Sequence, residues 1–175
     1  DGSFTLPEAI MTDCSADVTI TYAVESLGTG RNYTEVIPDI YPVVVTATDN
    51  CGNQSSISYD AVVVDCKAPT PYCVPVLIIE LMPLAGGGGM GEIWASDFNA
   101  GSFDNCTVQE NLTFAASIGN DDFDAATANI VFDCTTTGAQ GIYLYVTDEA
   151  GNTDYCLTTV FIESVDNVCP DTPSN

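Results

Sequence analysis

Histidine is absent from this chain, and basic side chains are nearly absent. Arg31 and Lys67 stand against 25 aspartates and glutamates, which gives the 175 residues a formal net charge of −23. Nucleic acids and anionic membranes are bound by clusters of lysine and arginine, so the composition argues against both partners. Without histidine there is no Ser–His or Cys–His pair. Two carboxylates could still hydrolyse a glycoside, but a chain this acidic produces such pairs by chance. We therefore expect no enzyme activity.

Long hydrophobic runs are also missing. The longest, VPVLIIELMPLA (74–85), contains Glu80 and is too short to cross a bilayer, so no membrane span is predicted. No segment keeps a helical period over three turns, whereas short apolar runs recur between clusters of Gly, Asn, Asp and Pro. The predicted strands are 3–8, 18–24, 41–49, 56–65, 74–81, 92–98, 111–118, 129–134, 142–148 and 155–163. This pattern indicates an all-β fold.

One turn motif occurs twice. TDNCGN (48–53) and TDEAGN (147–152) each separate two strand-like runs. Asp can accept hydrogen bonds from the backbone two residues on, and Gly supplies a positive φ, so both motifs predict the same hairpin turn. We interpret them as one corner of two tandem β-sandwiches. The predicted domains are 1–65 and 74–164, with a Pro- and Cys-containing linker at 66–73 and a linker or tail to a next module at 165–175.

The two predicted sandwiches differ at their start. The second has an opening strand, 74–81, before the strand that matches SFTLPE (3–8), and the first has no counterpart. We therefore expect the first sandwich to be N-terminally incomplete. Two explanations remain open: the chain is a piece of a longer one, or the exposed edge accepts a strand from a neighbour.

The cysteines form an even set of 8: Cys14, Cys51, Cys66, Cys73, Cys106, Cys134, Cys156 and Cys169. They lack the spacing of zinc ribbons, so we interpret them as disulfides, which implies an oxidising compartment. We predict a secreted protein that is extracellular or at the cell surface; a periplasmic protein, or a cytosolic protein with buried free thiols, is the alternative. The proposed pairs are Cys14–Cys51, Cys106–Cys156 and Cys73–Cys134. For Cys66 and Cys169, partners in neighbouring units or other chains remain open, as does a local Cys66–Cys73 bridge, because sequence does not fix connectivity.

The segment ASDFNAGSFDNC (95–106) is the best candidate metal site. Asp97, Asn99 and Asp104 offer oxygen ligands around Gly101, a spacing similar to the front half of an EF-type loop whose terminal Glu is missing. Asp148, in the second turn, offers a further carboxylate. Ca²⁺ is therefore the candidate cofactor, and an ordinary acidic turn is the alternative.

Trp94 discriminates between two classes of function. Strand alternation in EIWASDF (92–98) places Trp94 and Phe98 on one face, which predicts that both belong to the core. An exposed tryptophan beside polar groups would instead indicate a glycan site.

The second domain resembles hyalin-repeat (HYR) and related immunoglobulin-like modules, which occur in tandem in large secreted surface adhesins of Bacteroidota-type bacteria. The residues that carry the resemblance are Phe103-Asp104-Asn105-Cys106, Thr147-Asp148, Ala150-Gly151-Asn152 and Cys156. The first domain matches more loosely, because Cys51 lies inside the turn. The resemblance implies two tandem immunoglobulin-like β-sandwiches that serve in adhesion or as structural spacers.

These observations lead to two hypotheses about function. The first is an extracellular structural repeat of a disulfide-stapled surface fibre, filament or giant adhesin, with copies of itself or neighbouring repeats as partners and strand exchange as a means of assembly. The alternative is a calcium-dependent binding module that recognises glycans or a cell-surface protein.

Overall fold

The computed structural model describes residues 2–13, 17–164 and 168–169. The chain divides into two compact units, Asp1–Asp65 and Cys66–Asn175, which we call unit 1 and unit 2. No helix in the described residues is long and apolar enough to span a lipid bilayer.

Both units consist of strands. Those of unit 1 are β1 (Gly2–Thr5), β2 (Val18–Val24), β3 (Gly28–Thr29), β4 (Asn32–Val36), β5 (Asp39–Asp49) and β6 (Gln54–Val63). Those of unit 2 are β7 (Val76–Glu80), β8 (Met82–Pro83), β9 (Gly89–Trp94), β10 (Thr113–Ile118), β11 (Asn129–Asp133), β12 (Gly138–Thr147) and β13 (Thr153–Glu163). Two short 3₁₀ turns, Ala95–Phe98 and Gln109–Asn111, are the only helical segments described. The all-β prediction is confirmed.

In unit 1 two sheets share one core. β1 pairs with β4, and the second sheet has the order β3-β2-β5-β6. The alternating apolar residues of β5 point inward, so that Tyr41, Val43 and Val45 are buried against Tyr33 and Val36 of β4. This alternation is the period-two pattern of a strand with one face on a core.

Unit 2 is also a two-layer sandwich. One sheet has the order β10-β12-β13-β7 and the other β11-β9-β8. Ile142 and Leu144 of β12 and Phe132 of β11 are fully buried in the core between them. The sheets are antiparallel apart from β7, which pairs with β13 in parallel orientation, Val76 opposite Thr159 and Glu80 opposite Glu163. β7 is therefore an edge strand of the larger sheet and covers the outer side of β13.

The two units share a set of strand pairings. β1–β4, β2–β5 and β5–β6 of unit 1 correspond to β9–β11, β10–β12 and β12–β13 of unit 2. The repeated turn motif aligns the two units residue by residue, so that Asn53 of unit 1 corresponds to Asn152 of unit 2. Unit 1 has no described counterpart of β7 or β8.

The repeated turn has one geometry in both hairpins. The backbone N–H of Asp49 donates to the carbonyl of Asn53 at 3.0 Å, and that of Asp148 to the carbonyl of Asn152 at 3.1 Å. Each aspartate also accepts hydrogen bonds from the backbone and side-chain amides of the asparagine, at 2.7–2.8 Å. The glycine between them has φ of 88° in one turn and 89° in the other. The turn prediction is confirmed.

Residues 66–73 were predicted to form a linker between the two domains, but they are part of unit 2. Thr70 forms a bridge with Phe103, Cys73 forms one with Asn99, and Pro69 is buried. The predicted tail is likewise part of unit 2 where it is described: a Cβ added to Gly89 would meet Val168 at 2.5 Å. The prolines suggested a spacer, but they belong to segments that pack against unit 2.

The proposed disulfides Cys73–Cys134 and Cys106–Cys156 are both wrong. Cys73 is bonded to Cys156, with Cα atoms 6.0 Å apart, and not to Cys134. The reason is the parallel strand pair: Val76 lies opposite Thr159, and continuing that register three residues back places Cys73 opposite Cys156. The proposed Cys106–Cys156 pair joined a loop to the final hairpin of unit 2, and the proposed Cys73–Cys134 pair tied the opening strand to a later strand, but neither anticipated that the opening strand runs parallel to β13.

The remaining cysteines divide into a bonded and an unbonded set. Cys134 is bonded to Cys169, with Cα atoms 5.4 Å apart, so Cys169 does not pair with another chain. Among the described residues Cys51, Cys66 and Cys106 form no disulfide. Because Cys73 is already bonded, the local Cys66–Cys73 bridge is also excluded. The proposed Cys14–Cys51 pair includes Cys14, which lies outside the described residues.

The placement of Trp94 in the core is wrong as well. Trp94 is 55% exposed, whereas Ala95 and Phe98 are fully buried. Strand β9 ends at Trp94, and the following 3₁₀ turn, Ala95–Phe98, breaks the alternation on which the prediction rested. The turn rotates Phe98 inward and leaves Trp94 on the outer face of the sheet.

Candidate functional site

The outer edge of β6 is the principal candidate site. β6 pairs with β5 on one side, and no strand within the described residues pairs with its other side. Its counterpart in unit 2, β13, is paired on both sides, with β12 and with β7. We call residues 60–64, which correspond to the segment of β13 that β7 covers, the open edge. An unpaired edge presents a row of backbone donors and acceptors to which another strand can add.

The open edge also leaves part of the unit 1 core uncovered. Ala61 and Val63 of β6 pack on this core but are only partly buried. Their counterparts in unit 2, Val160 and Ile162, are 0% and 3% exposed. The difference follows from β7, since Leu77 and Ile79 pack against the core that contains Val160 and Ile162. Within its described residues, unit 1 therefore lacks apolar cover at the positions where unit 2 has it.

A glycine in each unit adjoins this edge. Gly91 lies two residues before Ile93 in β9, and a Cβ there would come within 2.8 Å of Ile79 Cγ2. Gly2 lies two residues before Phe4 in β1, at the matching ladder position, but a Cβ there would meet only Val36 O at 3.5 Å and Val63 Cγ1 at 3.8 Å. No described residue takes, beside Gly2, the place that Ile79 takes beside Gly91.

This glycine pair was not among the predicted site residues. The signal that could have revealed it is the shared spacing from Gly to the inward apolar residue, in GSF (2–4) and GEI (91–93). Glycine is common in loops, so a glycine two residues before an apolar residue is weak evidence until the β1–β4 and β9–β11 ladders show that the two glycines occupy the same position.

The four candidate calcium ligands are all described, and each is engaged in local backbone structure. Asp97 accepts a hydrogen bond from the Trp94 N–H, and Asn99 accepts from the N–H groups of Gly101 and Ser102. Asp104 accepts from Cys106 and Thr107, and Asp148 from Asn152. The carboxylate oxygens of Asp97, Asp104 and Asp148 do not all lie within 4.8 Å of one another. Calcium binding stays a prediction.

Asp104 has the most distinctive environment of the four. Burial alone would raise the pKa of this carboxyl group, but N–H donors from Thr107, Cys106 and Asn105, together with the nearby Lys67 ammonium, lower it below its usual value. Its Oδ2 accepts two of those bonds at 2.7 and 2.8 Å, while its buried Oδ1 has no hydrogen-bond partner. Asp104 is therefore held as a carboxylate with one oxygen unused.

The outer face of the β11-β9-β8 sheet is a second candidate site. Trp94 lies opposite Asn129 across the β9–β11 ladder, and the Asn129 side-chain amide donates a hydrogen bond to Glu92. Val131 and Met90, on the same face, are also exposed. An exposed indole ring beside a carboxylate and a carboxamide is the arrangement expected of a glycan site.

Comparisons with known proteins add little to these sites. No family model and no curated protein matches the chain. Among solved structures it matches one described as fibronectin(III)-like modules of Clostridium thermocellum CbhA, with 11% identity over 91% of this chain and 84% of that chain and a TM-score of 0.36. A likeness this weak carries no argument about function. The resemblance to hyalin repeats and to bacterial adhesins therefore stays a prediction.

Proposed function

We propose that this chain is a structural repeat of an extracellular, disulfide-stapled fibre, filament or giant adhesin, and that its units join by strand exchange. The observation that carries the proposal is the open edge of β6, which lies in the same chain as a second unit whose matching edge is closed by β7. A neighbour that contributes a strand to this edge would extend the β5–β6 sheet and cover Ala61 and Val63.

The disulfides support the extracellular setting. Cys73–Cys156 and Cys134–Cys169 both lie within unit 2, and disulfides of this kind persist in oxidising compartments. A net charge of −23 would keep such a repeat soluble and would oppose non-specific association between copies. Association at one specific edge, through backbone hydrogen bonds and apolar cover, would then determine the geometry of assembly.

Electron microscopy of the native, unreduced protein tests the proposal. Regular fibres with a constant axial repeat are expected over a range of protein concentrations. Particles that remain dispersed at every concentration, with a mass in sedimentation equal to a single chain, would refute assembly by this protein. Fibres that persist after the disulfides are reduced would show that assembly does not depend on the staples.

The exposure of Trp94 favours a second candidate function, calcium-dependent recognition of a glycan or of a cell-surface protein. The ring could stack on the apolar face of a sugar, and Glu92 and Asn129 could bond its hydroxyl groups. A glycan array probed with the wild-type chain and with Trp94→Ala tests this alternative. Binding that is lost in the variant and abolished by a chelator would support it, and an array without any signal would remove it.

A further inference from the structure

We propose that the open edge of β6 binds one β-strand that runs parallel to β6 and carries large apolar side chains at alternate positions. This inference rests on the proposed strand exchange and specifies the partner: an extended segment with the chemistry of β7. The template is the pairing of β7 with β13, the one parallel strand pair among the described residues.

The register of the bound strand follows from the correspondence between the units. In unit 2, Leu77 lies opposite Val160 and Ile79 lies opposite Ile162. The corresponding residues of unit 1 are Ala61 and Val63. The second and fourth residues of a bound five-residue strand therefore face the core at Ala61 and Val63, and the first, third and fifth face outward.

The size of the inward side chains is set by the space that unit 1 leaves. Unit 1 has Ala61 where unit 2 has Val160, so the second residue of the strand meets a smaller neighbour and can be as large as leucine or larger. The fourth residue occupies the space beside Gly2, as Ile79 occupies the space beside Gly91. Small or charged residues at these two positions would leave the core uncovered, so the site selects for an apolar alternating segment.

The orientation is the least expected property of the site. Exposed edges also accept antiparallel strands, and the backbone of β6 alone does not choose between the two. The choice of the parallel orientation rests on the template, since β7 pairs with β13 in parallel orientation, Val76 opposite Thr159 and Glu80 opposite Glu163. An antiparallel strand reverses the order of its side chains along the edge.

Hydrogen exchange of the full chain with a synthetic peptide tests the inference. The peptide PVLIIEL, residues 75–81, is compared with a control of the same sequence in which the residues at the Leu77 and Ile79 positions are serine, both with the same soluble tail. The first peptide should slow exchange at residues 60–64 and leave 159–163, whose edge is closed, unchanged. The control peptide should do neither. No protection by the first peptide, or equal protection by both, would overturn the inference.

A matched pair of variants locates the binding site. Gly2→Val adds a side chain where the nearest atoms are 3.5 and 3.8 Å from the new Cβ, so unit 1 should fold as before. The added methyl groups fill the space intended for the fourth residue of the strand, and peptide affinity should fall about tenfold or more. Val62→Thr, on the outward face of β6, is the control that should retain binding. Unchanged affinity in Gly2→Val, with a native circular dichroism spectrum, would overturn the proposed register.

Paramagnetic tags settle the orientation. A tag at the N-terminus of the peptide should broaden the signals of Asp60, and a tag at the C-terminus those of Val64; the reverse pattern would refute parallel binding. The results also separate this inference from the proposed function. Peptide binding without fibres would support the strand site and refute the fibre, and fibres without peptide binding would support the fibre and refute the strand site.

Discussion

The pairing of Cys73 with Cys156 leads to the sharpest test of the structure. We predict that Cys73→Ala/Cys156→Ala destabilises unit 2 strongly, whereas Cys106→Ala has little effect. The pair predicted from the sequence joins Cys156 to Cys106 instead. The two pairings therefore make contrary predictions for the same variants.

The size of the effect follows from the length of the loop that the disulfide closes. Its two cysteines are 83 residues apart. On the chain-entropy model, closing a loop of this length stabilises the folded state by about 4.5 kcal/mol. Typical domain stabilities are about 5–15 kcal/mol, so unit 2 should lose roughly a third or more of its stability, and its Tm should fall on the order of 15–20 °C. Cys106 forms no disulfide, and its Sγ accepts a hydrogen bond from the Asn105 side chain, so its replacement should cost about 1 kcal/mol or less.

The measurement is urea unfolding of the full chain, in which hydrogen exchange or NMR signals report the free energy of unfolding of each unit separately. Unit 1 contains neither cysteine of the pair and serves as the internal control. Peptide mapping under non-reducing conditions should recover the Cys73–Cys156 and Cys134–Cys169 cross-links. A large loss of stability in Cys106→Ala, or a loss below about 1 kcal/mol in the double variant, would refute the reasoning.

Three further predictions concern the carboxylates. Asp148→Ala should destabilise unit 2 by about 1–3 kcal/mol in urea unfolding, because it removes a buried carboxylate that accepts hydrogen bonds from the backbone and side-chain amides of Asn152, whereas Asp49→Ala, in the exposed copy of the turn, should cost less; equal losses would contradict this. The pKa of Asp104 is lowered on folding, so its stabilisation is present at neutral pH and is lost as the pH falls through the folded-state pKa; Asp104→Asn should lower stability at pH 7 and flatten the acid limb of the stability curve, and an unaltered limb would contradict the assignment. Millimolar calcium, added after treatment with a chelator, should raise the Tm of the wild type and not of Asp104→Asn, whereas an unchanged Tm would remove the calcium prediction.

The sequence predicted the strands where alternation or turn chemistry was strong. Strand β2 was predicted at its observed bounds, and the repeated turn was predicted with the positive φ of its glycine, although not with the hydrogen bonds between its aspartate and asparagine. The short strands β3, β4 and β8 were missed. β4 contains Glu35 at a φ of 58°, and its ladder with β1 shifts register, so its side chains do not alternate regularly.

The errors share one physical cause, which is long-range pairing that local patterns do not contain. Cys156 has Cys106 as a plausible partner in sequence, but the parallel entry of β7 brings Cys73 beside it instead. Trp94 and Phe98 share a face in an extended strand, but a single 3₁₀ turn separates them. The open edge was expected from the missing strand, whereas the space beside Gly2 required the ladder register.

The β7–β13 register also shows how unit 2 retains the strand that covers its edge, and it leads to a last prediction for unit 1. In unit 2 the covering strand is fixed by the disulfide at Cys156. The corresponding residue of unit 1 is Ile57, which is 62% exposed and offers no such bond, so a strand on β6 would be held by backbone hydrogen bonds and apolar contacts alone. The variant Ile57→Cys should therefore trap the peptide under mild oxidation when a cysteine stands at the position of Cys73.

Only the parallel register places the two thiols together. Val76, the first residue of β7, lies opposite Thr159, and Cys73 precedes Val76 by the same number of residues as Cys156 precedes Thr159. A peptide with its cysteine at the C-terminal end is the control and should cross-link poorly. Equal trapping of both peptides would show that the thiols meet by random encounter, and trapping of the control alone would indicate an antiparallel strand. Selective trapping of the first peptide would mean that unit 1 holds reversibly the strand that unit 2 holds covalently, which is the property that exchange between neighbours requires.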